Sequence, residues 1–101
     1  MIHALKTKTE YFEAVRNGDK TFEVRKNDRR FAVGDFLALN EINEDGLYSG
    51  RALLVEITYI LSNPEYCKED YVVMSIGKCR VETESDHRMG RLPRWLLEVE
   101  K

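Results

Sequence analysis

The sequence predicts a single small α+β domain: a highly curved sheet or barrel with one short helix near its start. Three observations lead there. Short runs of alternating apolar and polar residues recur along the chain, a single helical stripe precedes most of them, and turn-forming residues separate them. The 101 residues, 43% of them hydrophobic, suit one domain with one modest core.

Ile2 to Lys6 alternates as a strand, with Ile2 and Ala4 on one face and His3 and Leu5 on the other. Thr7-Lys8-Thr9-Glu10 has the form of a capping box, which predicts a helix over about residues 8–17. Tyr11, Phe12 and Val15 form its apolar stripe. Gly18 ends it, because glycine takes the left-handed conformation at a helix terminus without steric cost.

Thr21 to Arg25 reads as the next strand, with Phe22 and Val24 on one face and Thr21, Glu23 and Arg25 on the other. Lys26 to Arg30 and Val33-Gly34-Asp35 are turn-prone. Phe36 to Ile42 is a strand, apolar on both faces and so in need of cover on both. Asn43-Glu44-Asp45-Gly46 reverses it. A long strand, roughly Arg51 to Leu61, sets Leu53, Val55, Ile57 and Tyr59 on a common face before Ser62-Asn63-Pro64 stops it. Tyr71 to Ile76 is the last β-branched run. The composition changes after Cys79, so the chain divides into a domain over 1–78 and an extension over 79–101. Trp95, Leu96 and Leu97 in that extension are expected to dock on the domain or on a second copy, which makes a homo-oligomer one expectation.

The longest purely apolar run, Ala52-Leu53-Leu54-Val55, is far short of a membrane span, and residues 1–6 lack the apolar stretch of a secretory signal. A cytoplasmic chain with no membrane partner is expected. Cys67 and Cys79 stand apart, without a CxxC motif, and are expected to be reduced. His3 and His87 have no second ligand at metal-binding spacing, and neither a P-loop nor a GxGxxG motif occurs. No metal and no cofactor is expected. A formal net charge of −2 argues against a general nucleic-acid coat. Residues 20–30 nevertheless collect Lys20, Arg25, Lys26, Arg29 and Arg30 against Glu23 and Asp28.

That stretch holds the best candidates for chemistry. Glu23 and Arg25 leave one face of a strand about 7 Å apart, and Lys20 enters from the preceding turn. Two cations and an acceptor suit a ligand with an anionic group and a hydrogen-bonding edge, such as a nucleotide; a solvated strand face with a weak ion pair is the plainer alternative. Lys26 and Arg29 lie on a loop able to grip phosphate, or simply on a charged surface turn. Glu41 shares a face with Leu37 and Leu39 and points inward if those residues are core. An inward carboxylate needs a donor or a proton, and Arg25, a ligand amine or a water would serve; an exposed Glu41 at a frayed strand end is the alternative. Tyr48, Tyr59, Tyr66 and Tyr71 can stack on bases or fill the core.

Gly18, Lys20, Glu23 and Arg25 together resemble the signature of the ASCH family, one of the PUA-like β-barrels. His3-x-Leu5-Lys6, Tyr11-Phe12, Lys26-Asn27-Asp28-Arg29, Leu39-x-Glu41, Ser49-Gly50-Arg51 and Ile57-Thr58-Tyr59 are similar to a group of small ASCH-like bacterial and phage proteins. The resemblance covers about residues 2–77. It implies a mixed barrel whose short helix flanks a cleft lined by the signature residues, and a role in binding RNA or a nucleoside-like ligand. Lys20, Glu23, Arg25, Lys26, Arg29 and Glu41 are the ligand residues on this view.

Some bacterial ASCH proteins are amidohydrolases that remove the acetyl group of N4-acetylcytidine, with a lysine matching Lys20. That implies an alternative in which Lys20 and Glu23 are catalytic, although Glu23 stands where those enzymes have a threonine. A third expectation is a protein-interaction module working through the Trp95 segment.

Overall fold

The computed structural model describes residues 1–84, and the expected docking segment around Trp95 lies outside them. The elements run β1 (Ile2–Lys8), α1 (Thr9–Arg16), β2 (Phe22–Lys26), β3 (Phe36–Ile42), β4 (Tyr48–Leu61), β5 (Tyr71–Ile76) and β6 (Val81–Glu84). They form a mostly β, α+β domain whose sheet has the order β1-β3-β4-β5-β2, with β6 also paired to β4. Only β1 and β3 are parallel; the other pairs are antiparallel.

β5 and β6 lie end to end along β4. β5 pairs with Ile57 to Leu61 and β6 with Arg51 to Leu54. Between them the Gly77 and Arg80 amides bond to the Glu56 and Leu54 carbonyls. Val81–Glu84 thus extend the sheet along β4 by strand pairing.

β1 and β2 are the two ends of the sheet. Leu5, Leu37, Leu39, Leu53, Val55, Ile57, Val72, Met74 and Ile76 fill the interior between the curved sheet and α1, which contributes Phe12 and Val15. A second small cluster, Ala38 and Ala52 with Ile2 and Leu54, lies on the other face of β1, β3 and β4. Both faces of β3 are therefore covered, as its apolar sequence requires.

Three local expectations are corrected. The helix starts at Thr9, and no side chain caps it. Thr7 is instead the penultimate residue of β1 and is 3% exposed. Pairing of β1 with β3 runs through Thr7↔Glu41 and Lys8↔Ile42, so the ladder takes residues that a capping box would use. β4 begins at Tyr48, earlier than the apolar run implies. Tyr59 does not share the buried face of Leu53, Val55 and Ile57, because the β4–β5 register shifts between Ile57 and Tyr59 and leaves Tyr59 exposed.

β2 turns its charged face inward. Phe22 and Val24 point outward, 44% and 51% exposed, while Glu23 is 3% exposed. Antiparallel partners share a face, and Glu23 and Arg25 pair with Met74 and Val72, both core residues. The two faces read from the sequence are therefore present, with the Glu23 face turned inward.

Candidate functional site

A buried carboxylate tolerates a protein interior only when cations or donors surround it. Glu23 meets that condition. Its Oε2 accepts from Lys20 Nζ at 2.5 Å, and its Oε1 accepts from Arg25 Nε at 3.0 Å.

Local backbone geometry fixes Lys20. Gly18 adopts φ +82° after the helix, and the amides of Asp19 and Lys20 then both bond to the Ala14 carbonyl. Lys20 Nζ also donates to the Phe22 carbonyl at 2.6 Å. Arg25 reaches in the other direction: Nη2 donates to the Lys6 carbonyl at 3.1 Å and to Thr7 Oγ1 at 3.3 Å. The three signature side chains therefore meet, and they meet at the gap between the two end strands.

A cavity of about 620 Å³ opens there. Lys6, Thr7 and Lys8 of β1, Tyr11 of α1, Lys20, and Phe22 to Arg25 of β2 line it. The Tyr11 and Phe22 rings stand 5.8 and 4.9 Å from Lys20 Nζ, and both are about half exposed. Tyr11, part of the apolar stripe that the helical spacing predicts, therefore stands at the surface. Phe22, two residues from Lys20 in the charged stretch, was the available signal for a surface role.

A second cavity, of about 540 Å³, adjoins the first through Lys6 and Arg25, which line both. It adds Lys26, Asp28, Arg29 and Tyr48 to its walls. Lys26 and Arg29 thus join the signature residues, and Lys6, whose Nζ lies 6.0 Å from the Tyr48 ring, was not foreseen. Tyr59, Tyr66 and Tyr71 line neither of these two cavities.

Glu41 is buried as expected but lines neither cavity. Arg51 grips it through Nε and Nη2, both at 2.9 Å, and Ser49 Oγ donates at 2.6 Å. The Arg51 hydrogen bonds outweigh burial and hold the Glu41 carboxyl at about 2. Arg51 also meets Glu13 of α1 at 3.1 Å and lies over the Phe12 ring. The donor expected from Arg25 or a ligand amine is therefore Arg51, and the cluster ties α1 to β3 and β4.

His3 is fully buried, edge-on to Phe31, and its Nε2 is 2.8 Å from Asp35 Oδ2. Cys67 and Cys79 are free thiols. Among the described residues no group of three or more His, Cys, Asp or Glu side chains is placed to hold a metal ion. No helix among them is long and apolar enough to cross a membrane.

Residues 2–76 match the family described as Domain of unknown function (DUF3850). The chain belongs to this family. It is also 37% identical over 73 residues to the "Uncharacterized 12.9 kDa protein in GpA 3'region" of Escherichia phage P2. That match covers 72% of this chain and 65% of the phage protein, so it spans just under two thirds of the relative's length. The DUF3850 region contains both cavities, Glu41 and its partners, and strands β1 to β5; β6 lies beyond it.

Proposed function

We propose that this DUF3850 domain binds RNA or a nucleoside-like ligand in the cavity between α1 and β2, on an ASCH-type, PUA-like scaffold. The observation that carries the reading is the orientation of β2, with Phe22 and Val24 outward and Glu23 inward. Exposing Phe22 and Val24 while burying Glu23 gives up apolar burial and desolvates a charge. Departures from local consistency concentrate at functional sites. Here β2 and its flanking turn present aromatic surface, an acceptor and two cations to one cavity, as base stacking and edge recognition need. The adjoining cations, Lys26 and Arg29 with Lys6 and Arg25, suit the phosphates of a strand running on from the bound base.

The test is an amide NMR titration with short single-stranded RNAs, then with nucleosides. Shifts clustered at Lys20, Glu23 and Arg25, and lost in Lys20→Ala, support the reading. A spectrum unmoved by the whole panel overturns it.

A hydrolytic alternative assigns proton transfer to Lys20 and Glu23 with an N4-acetylated cytidine as substrate. Glu41, the other carboxylate available to that scheme, is engaged by Arg51 and Ser49 away from the cavity, so binding is favoured. Incubation with N4-acetylcytidine that yields cytidine would reverse this preference.

A further inference from the structure

The order of polar groups along the cavity wall is ammonium, carboxylate, guanidinium, with Glu23 between Lys20 and Arg25. Their remaining hydrogen-bond capacity follows by counting. A lysine ammonium has three N–H donors, and Lys20 commits two of them, to Glu23 and to the Phe22 carbonyl. A guanidinium has five. Arg25 commits Nε–H to Glu23 and Nη2 to Lys6 and Thr7, leaving Nη1 without a protein partner among the described residues. A carboxylate has roughly four lone-pair sites, and the two cations occupy one on each oxygen. What is left along the wall is a donor, an acceptor and a donor.

Resting on the RNA or nucleoside reading, we propose that this cavity selects an imide edge, that of a uracil-type base. Uracil presents a carbonyl oxygen, a ring N–H and a second carbonyl oxygen in sequence, which complements Lys20, Glu23 and Arg25 one for one. Cytosine opposes the array at two points: its bare ring nitrogen faces the Glu23 carboxylate, and its amino group faces a cation. Guanine matches at two points and sets its amino group against the remaining cation. Adenine offers one donor and one acceptor and leaves a cation unused.

Stacking on Tyr11 or Phe22 is open to every base, so the discrimination resides in the edge. A matched pair of hydrogen bonds to a base discriminates by roughly tenfold to a hundredfold. Lys20 and Arg25 keep 16% and 25% side-chain exposure, which places the expectation at the lower end.

The experiment is calorimetric or NMR titration of the full chain with uridine, cytidine and 3-methyluridine, and with oligouridylate and oligocytidylate of equal length. Uridine is expected to bind at least about tenfold more tightly than cytidine. Methylation at N3 removes the N–H that Glu23 accepts, so 3-methyluridine should fall to the cytidine level; this arm needs no variant protein. Glu23→Gln, with its fold checked by amide dispersion, should shrink the uridine preference to less than about threefold, because an amide can turn either a donor or an acceptor to the base. Tighter binding of oligouridylate than of uridine identifies RNA as the source of the imide, and equal binding identifies the free nucleoside. Uridine and cytidine bound equally, or 3-methyluridine bound as well as uridine, would overturn the imide inference and leave RNA binding standing. Silence across the panel would overturn both.

Discussion

Arg25 on β2 donates to the backbone carbonyl of Lys6 on β1 at 3.1 Å, so a side chain joins two end strands that lack a mutual backbone ladder among the described residues. The same guanidinium holds Thr7 Oγ1 and the Glu23 carboxylate. One guanidinium thus lines the cavity and links the two end strands. Arg25→Met should destabilise the domain by about 1–3 kcal/mol, chiefly through the charge-assisted bonds lost. Arg25→Lys should not restore it, because an ammonium lacks the planar fork that reaches all three acceptors. Hydrogen exchange checks this: amides of β1 and β2 should lose protection more than those of β4 and β5. Uniform loss would show that Arg25 does not act at the gap.

The Glu41–Arg51 pair makes stability depend on pH. The Arg51 hydrogen bonds hold the folded Glu41 carboxyl at about 2, below its usual 4.5. A depressed carboxyl contributes stability that is full above the unfolded value and lost as pH falls towards the folded one. The contribution, on the order of 3 kcal/mol, should therefore disappear between about pH 5 and pH 2. Asp35 adds in the same direction: burial raises its carboxyl, but hydrogen bonds with His3, the Ala32 amide and the Met1 ammonium together lower it. Arg51→Met leaves the Glu41 carboxylate buried without its main partner and should cost about 3 kcal/mol at pH 7. That penalty should shrink in acid, where Glu41 protonates. Urea unfolding of both proteins across pH 3–7 measures it, and a penalty independent of pH would refute the assignment.

Sequence patterning made some parts of this fold legible and not others. The bounds of β3 and β5 coincide with the expected Phe36–Ile42 and Tyr71–Ile76, because apolar and β-branched residues fill both strands. β6 reads Val-Glu-Thr-Glu and carries little apolar signal; its pairing comes from β4. Thr7 could serve a helix cap or a strand, and only the long-range ladder with Glu41 decides between them. For β2, periodicity reports that Glu23 and Arg25 share a face but not which face is inside. Hydrophobicity voted for Phe22 and Val24, and the ion-paired carboxylate won. Lys20, Arg25, Lys26 and Arg29 were legible as a charge cluster; Tyr11, Phe22 and Lys6 belong to the cavities because of tertiary placement alone.

The outward face of β2 gives a sharp contrast between stability and binding. Phe22→Ser and Val24→Thr remove side chains that are about half exposed, so each should cost less than about 1 kcal/mol. A core phenylalanine would cost about 3–5 kcal/mol on truncation. Phe22→Ser should still weaken RNA binding, since base–aromatic stacking contributes about 1–3 kcal/mol per base. Thermal melts set beside binding curves separate the two effects. A variant that melts much earlier would return Phe22 to the core, and one that binds RNA unchanged would remove its ring from the site.

Salt dependence distinguishes phosphate contacts from base contacts. For a single strand the logarithm of the binding constant falls with the logarithm of salt concentration at about −0.7 per neutralised phosphate. Lys6, Arg25, Lys26 and Arg29 line the second cavity with Asp28 as the acidic member of its wall. Lys26→Ala and Arg29→Ala should each flatten the slope by about 0.7 if each cation meets one phosphate. Neither change touches Lys20 or Glu23, so base preference should survive in both. Lys20→Ala should do the reverse, lowering affinity with little change in slope, because its ammonium is committed to Glu23 and the Phe22 carbonyl. Binding constants for one oligonucleotide at four salt concentrations, for the parent chain and the three variants, give both quantities. Unchanged slopes in Lys26→Ala and Arg29→Ala would separate the second cavity from the RNA path and confine recognition to the walls built by α1, β1 and β2.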